Sequence, residues 1–319
     1  MTTAALSTPI AVAGLGGTGV LLVAVACLGF MLLAARRKLR HTLGPSTASS
    51  ERHEAARQRV DHVLQKRAVD VALQPVIDLT TGRITGTEAL ARFADGRAPD
   101  IWMAEAIETG QGLALDQAVF TEAVRQLKRL PAHCYLSVNA TPELIVHGQL
   151  TQLLTAQHVQ LERLVIELTE HVKISSYADL HAGLAQLRER GVRLAVDDTG
   201  AGYASFNHVL QLRPDIIKID RSLIANANAD PARRSLITAL VLLALDLGST
   251  VVGEGVETMA ELNTLASLGV DCAQGYLLAR PSTERSRWRV WTDPGRVWDM
   301  AQPRIDSGRS VMVPDRPLV

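Results

Sequence analysis

The chain predicts an α/β fold, a parallel sheet with helices outside it, behind a single membrane-spanning helix. Three observations lead there. From Ile10 to Ala35 no residue is charged. From about Val60 onward, short apolar runs alternate with stretches of helix length, the pattern of a parallel sheet. Roughly eight such runs fit within about 220 residues, which suits a closed barrel, whose usual length is about 250 residues. An open, doubly wound sheet fits the same periodicity.

At about 1.5 Å of helical rise per residue, residues 10–35 exceed the roughly 30 Å hydrocarbon core of a bilayer. Residues 1–9 carry no Lys or Arg and read as a short extracytoplasmic N-terminus with no room for an external sensor. Arg36, Arg37, Lys38 and Arg40 follow the apolar run at once. That bias places the rest of the chain in the cytoplasm, as a single-pass protein of the inner, cytoplasmic membrane. A cleaved signal peptide would show the opposite charge order and a shorter apolar core. Gly14, Gly16 and Gly19 spell G-x-G-x-x-G, but a dinucleotide site needs a strand, a turn and an amphipathic helix, and here the apolar run continues.

Residues 36–59 form a basic juxtamembrane segment and linker, in which "HTLGPSTASSERHEAA" is polar and small and passes into a charged helix. The globular domain covers residues 60–283. Its strands are "VALQPVIDL", "YLSVNA", "RLVIELTE", "VRLAVDD", "DIIKID" and "STVVGEGVE", each followed by a stretch of helix length, with "ITGTEALARF" and "DCAQGYLL" completing the count. The apolar "SLITALVLLALDLG" is bounded by Arg233, Arg234 and Asp246, too short to cross a membrane, and reads as a buried outer helix. Residues 284–319 read as a short closing helix and a frayed tail.

Lys plus Arg and Asp plus Glu both number 33, so net charge argues for no DNA or RNA polymer as partner. Cys27, Cys134 and Cys272 are odd in number and set in apolar surroundings, which reads as reduced, buried thiols rather than a disulfide framework. None of the nine histidines forms a ligand-like pair with a nearby His or Cys.

The acids fall at strand ends. Glu88 lies in "TEALAR", Asn139 ends "LSVN", Glu167 and Glu170 lie in "IELTE", Asp197 and Asp198 end "LAVDD", Lys218 and Asp220 lie in "IKID", and Glu254 and Glu257 lie in "GEGVE". In a parallel barrel these ends converge on one face. Carboxylates and one amide oxygen, without His or Cys, form the hard oxygen set that Mg²⁺ or Mn²⁺ prefers over zinc. The adjacent aspartates make sense if one carboxylate bridges two ions about 3.5 to 4 Å apart. Taken singly, each acid is more often a solvated or capping residue, and it is their convergence on five strands that points to a site: Asn139 is placed to cap the helix near Pro142, and Glu170 and Glu257 to sit in first turns.

In order and spacing, "QPVIDLTTGRITGTEALAR", "LSVN", "IELTE", "LAVDDTGAGYAS", "IKID", "VVGEGVET" and "AQGYLLARP" resemble the EAL-domain phosphodiesterases that hydrolyse cyclic di-GMP. The resemblance implies a TIM-like (β/α)₈ barrel that uses two Mg²⁺ or Mn²⁺ ions to open cyclic di-GMP to linear pGpG. It implies that Glu88, Asn139, Glu167 and Asp197 hold one ion, and that Asp197 bridges to a second, which Asp198 also touches. Glu254 becomes the general base, or a ligand, and Lys218 orients the water. Gln74, Leu90, Arg92 and Gln274 contact the substrate or hold the site together. Glu170 and Asp220 support the acidic shell, and Glu257 stabilises the loop after Asp198. Thr199 stands where the family usually has an aromatic residue, in a loop through which members of the family communicate across a homodimer. The alternative is a non-catalytic cyclic di-GMP receptor, the fate of members that have lost metal ligands; the intact acid set argues against it.

Overall fold

The structure is a computed structural model that describes residues 47–146, 148–157, 159–168, 174–200 and 203–289. The apolar run at 10–35, the linker before Thr47, Cys27, Glu170 and the tail beyond Arg289 lie outside the described residues. Among the described residues no helix is long and apolar enough to cross a membrane. The chain divides into two compact units, Met1–Ala55 and Ala56–Val319.

In the second unit eight strands close into a barrel in sequence order. They are β1 (Val69–Asp78), β2 (Ile84–Phe93), β3 (Tyr135–Asn139), β4 (Leu164–Leu168), β5 (Arg193–Thr199), β6 (Ile216–Ile219), β7 (Thr250–Gly253) and β8 (Cys272–Ala273). Each of the eight runs read from the sequence is a strand. The uniformly parallel sheet is corrected at one place: β1 runs antiparallel to both neighbours, β2 and β8, while β2 through β8 pair in parallel. Parallel neighbours need a crossover of a dozen residues or more, and β1 is joined to β2 by a tight turn instead. The Asp78 carboxylate accepts from the backbone N–H groups of Thr80 and Thr81 and from the Thr81 hydroxyl, at 2.7–3.0 Å. Gly82 then takes φ 66, the left-handed conformation that glycine adopts without strain.

Helix α1 (Thr47–Lys66) is longer than the charged helix expected after the linker, and its buried residues Ala56, Val60 and Val63 begin the domain slightly before residue 60. Val60 and Val63 share a small separate core with Val69, Phe93, Leu115 and two residues of α2 (Pro99–Glu108), Trp102 and Ala106. The outer helix α3 (Pro231–Leu247) is less buried than expected: Ile237, Leu240 and Ala244 face the barrel, while Leu242 is exposed. Asp230 caps its start and Gly248, at φ 71, ends it. Burial pushes the free thiols up, Cys134 to about 11 and Cys272 to about 12, so both stay protonated at neutral pH.

Inside the barrel the strand period of two sets up layers. Val76, Tyr135, Val165, Ala195, Ile216, Val252 and Cys272 form one apolar cluster. Two residues along each of those strands, on the same face, stand Gln74, Ser137, Glu167, Asp197, Lys218, Glu254 and Gln274. On β2 the matching pair is Gly86 and Glu88. Gly86 is the gap in the apolar layer, since a Cβ there would lie 2.3–2.4 Å from three atoms of the Tyr135 ring. Gly86→Ala is therefore expected to destabilise the domain by about 1 to 3 kcal/mol through overpacking. Chemical denaturation checks this, with Tyr135→Leu in the same chain recovering part of the loss.

Candidate active site

The ammonium of Lys218, only 2 % exposed, is the centre of the site. Its Nζ lies 2.6 Å from Glu254 Oε1, 3.0 Å from Glu167 Oε2, 3.3 Å from Asp197 Oδ1 and 3.6 Å from Glu88 Oε2. Four strands bring four acids to one cation. Burial opposes charge on Lys218, but the carboxylates of Asp197, Glu167, Glu254 and Glu88 outweigh it and hold the ammonium well above the usual lysine range. The opposite shift falls on the acids. Burial raises Glu167 and Glu254 above the ordinary carboxylate range; Glu88 and Asp197 push further, and Lys218 offsets only part of it.

The paired aspartates have a local explanation. In a regular strand neighbours point to opposite faces, so Asp197 and Asp198 ought to diverge. The register of β5 against β6 shifts between Val196 and Thr199, and Asp198 takes φ 55. Asp is among the residues that tolerate this left-handed conformation. As a result Asp197, Asp198 and Glu254 each place a carboxylate oxygen within 4.8 Å of the others, and so do Glu88, Glu167 and Asp197. Asp197 belongs to both groups, and neither contains His or Cys. This hard oxygen set, with Asp197 shared, fits a pair of divalent cations.

The remaining residues fall in and around this centre. Asn139, at the end of β3, lies beside Glu167 in register, with Nδ2 3.4 Å from Glu167 Oε2. Gln274 Nε2 donates to Glu88 Oε2 at 2.5 Å and to Gln74 Oε1 at 3.0 Å. Its own Oε1 is buried without a partner, an acceptor left free. Leu90 and Arg92 follow Glu88 on the same face of β2; Arg92 is half-buried and donates to the Ala91 carbonyl.

Two supporting residues have contacts of their own. Asp220 caps the turn Arg221–Ile224, accepting from Ser222 N at 2.8 Å. Glu257 pairs with Arg221 at 2.8 Å, tying the loop after β7 to the end of β6. Thr199 is fully buried, with its hydroxyl unpartnered.

One residue was not expected. Asp116, 5 % exposed, accepts from both Thr141 N (3.1 Å) and Thr141 Oγ1 (2.6 Å), fixing the segment just past Asn139. The only signal in the sequence is an acid inside the apolar stretch "GLALDQAVF".

The sequence profile described as EAL domain matches residues 56–281. The chain belongs to the EAL domain family. Among its EAL relatives is the cyclic di-GMP phosphodiesterase RocR of Pseudomonas aeruginosa, 33 % identical over 223 residues, which cover 66 % of this chain and 57 % of RocR. Solved EAL structures agree. BlrP1 of Klebsiella pneumoniae, in a manganese and cyclic di-GMP complex, aligns with TM-score 0.62 at 31 % identity over 67 % of this chain and 56 % of its own. The PaMucR phosphodiesterase in its c-di-GMP complex aligns with TM-score 0.64 at 29 % identity, over 71 % of this chain and 97 % of that one. The chain spans about a third to a half of the length of several curated relatives that it matches.

Lys218→Met in chelator is expected to destabilise the domain by about 3 to 5 kcal/mol, because it leaves buried acids without a counter-charge. The raised values of Glu167 and Glu254 set the sign with pH. Their contribution to stability is fully present below the unfolded carboxylate value and is lost as pH rises through the raised folded values. The deficit of Lys218→Met should thus shrink as denaturation curves are taken from pH 8 toward pH 5.

Proposed function

We propose that this chain is a metal-dependent phosphodiesterase that hydrolyses cyclic di-GMP to linear pGpG. The observation that carries the reading is the pair of carboxylate groups sharing Asp197 around the Lys218 ammonium. Membership of the EAL domain family and the ligands of BlrP1 and PaMucR support the substrate.

In this reading Glu88, Asn139, Glu167 and Asp197 hold one ion, and Asp197, Asp198 and Glu254 face the second; Mg²⁺ and Mn²⁺ suit such oxygens best. When bound, the ions supply positive charge against the phosphoryl oxygens and acidify water. The chain's own groups do the rest. Glu254, whose carboxylate lies within 4.8 Å of those of Asp197 and Asp198, takes the proton of the attacking water. Lys218, 2.6 Å from Glu254 Oε1, keeps its proton and orients that carboxylate. Gln274 fixes Glu88, and its free Oε1 accepts from a bound donor. Gln74, Leu90 and Arg92 continue the site along β1 and β2 toward the substrate. As a non-catalytic receptor, the chain would have no use for a buried base beside a shared bridging carboxylate.

The uncharged run at 10–35 and the basic cluster after it support a second part of the proposal, a barrel held at the cytoplasmic side of the membrane by a single span. Full-length protein should then resist release by alkaline wash, and its appearance in the soluble fraction would contradict the anchor.

Incubation of the full-length chain with cyclic di-GMP and Mg²⁺ or Mn²⁺, followed by chromatography, is expected to yield pGpG; an unchanged cyclic dinucleotide contradicts the activity. Glu254→Ala should lower turnover by about 10² to 10⁴ while substrate still binds. Near-normal hydrolysis by that variant would remove Glu254 from the mechanism.

A further inference from the structure

Among the described residues, two buried acids stand outside the carboxylate centre, Glu261 and Asp116, each 5 % exposed. Glu261 is accounted for locally. It accepts from the backbone N–H groups of Asn226, Glu257 and Thr258 and completes a capping box with Thr258. Asp116 has no such local use, since it lies beyond the first turn of the helix Gly112–Gln126, where aspartate is a poor helix former. Both of its hydrogen bonds go to one residue of another element. Its Oδ2 accepts from Thr141 N at 3.1 Å and from Thr141 Oγ1 at 2.6 Å.

Thr141 is two residues past Asn139, and each residue of that short segment is held. Asn139 Nδ2 lies 3.4 Å from Glu167 Oε2, Ala140 N donates to the Glu167 carbonyl at 3.1 Å, and Thr141 is gripped by Asp116. The Thr141 hydroxyl gives its proton to Asp116 and accepts from Leu144 N at 3.4 Å, so it also sets the start of the helix Pro142–Val146. With Nδ2 turned toward Glu167, the amide oxygen of Asn139 is the atom left to serve as a ligand. The helix that carries Asp116 is a firm base. Leu115 packs with Val60, Val63 and Phe93, while Phe120, Ala123 and Val124 enter the main core. Just ahead of the helix, Gln111 Nε2 donates to Asp61 Oδ1 at 2.7 Å.

We propose that Asp116 is a positioning residue for metal binding: through Thr141 it sets Asn139, and with it the affinity for the ion assigned to Glu88, Asn139, Glu167 and Asp197. The assignment rests on the reading of Asn139 as a ligand. It concerns that ion alone, since Asp198 and Glu254 belong to β5 and the end of β7. Groups that hold a metal ligand in place typically contribute about 10- to 100-fold to metal affinity.

Full-length wild type, Asp116→Ala, Asp116→Asn, Asn139→Ala and the Asp116→Ala, Asn139→Ala double variant are titrated with Mn²⁺ by calorimetry, without substrate. Asp116→Ala should raise one of the two Mn²⁺ dissociation constants by about 10- to 100-fold. It should be the same one that Asn139→Ala raises, and the other should keep its wild-type value. Asp116→Asn retains an acceptor oxygen for Thr141 and should recover most of the affinity. The double variant should be no weaker than Asn139→Ala, because Asp116 acts through that residue. If Asp116→Ala does not fold, Thr141→Val, which removes the hydroxyl and keeps the backbone N–H, takes its place. Wild-type affinity at both sites in Asp116→Ala overturns the proposal even where its melting temperature falls, and so does a loss that adds in full to that of Asn139→Ala. An Asn variant as weak as Ala also overturns it, because charge rather than position would then decide. Asn139→Ala with wild-type Mn²⁺ affinity overturns the ligand reading, and the brace with it.

Discussion

Four carboxylates lie close to one buried ammonium, and much of the domain is arranged around that concentration of charge. Bringing Glu88, Glu167, Asp197 and Glu254 out of water is costly for each, and bringing them together adds repulsion. Lys218 offsets only part of this, as the raised values of Glu167 and Glu254 indicate. A site with more negative charge than its own lysine can balance has capacity for further positive charge. The two overlapping carboxylate groups indicate where that charge would sit, one on either side of Asp197.

The barrel makes such crowding tolerable. Beneath the charged layer, Val76, Tyr135, Val165, Ala195, Ile216, Val252 and Cys272 fill the interior, with Gly86 admitting the Tyr135 ring. This floor is buried and apolar and fixes the strands from which the acids project. Rigidity at the ends comes from outside the charged layer. Asp116 fixes the turn after Asn139, Gln274 fixes Glu88, and Arg221 joins the loop after β7 to the end of β6.

Much of this was legible in the sequence, because strand runs and strand-end acids are one-dimensional signals. The eight strands were visible as apolar runs, and a parallel barrel places their ends together, which brought Glu88, Asn139, Glu167, Asp197, Lys218 and Glu254 into one group. The direction of β1 was missed, although "DLTTG" is too short for a crossover and carries its own turn chemistry. Other features depend on geometry that no periodicity encodes. The left-handed Asp198 turns a residue that should face away into the cluster. Asp116 and Glu257 have partners set by tertiary packing, so their roles as brace and loop tie could not be read from spacing.

If positive charge beyond Lys218 is what lets the acids coexist, divalent cations must stabilise the folded chain, and Asp197 must carry much of the effect. The most direct measurement is a thermal melt of wild type and Asp197→Asn across Mg²⁺ and Mn²⁺ titrations. The account predicts that wild type gains about 2.7 kcal/mol when free metal is a hundred times its dissociation constant. Asp197→Asn, without the shared charge, should gain much less. A wild-type melting temperature unmoved by saturating Mg²⁺ and Mn²⁺, or an equal rise in Asp197→Asn, would contradict the claim.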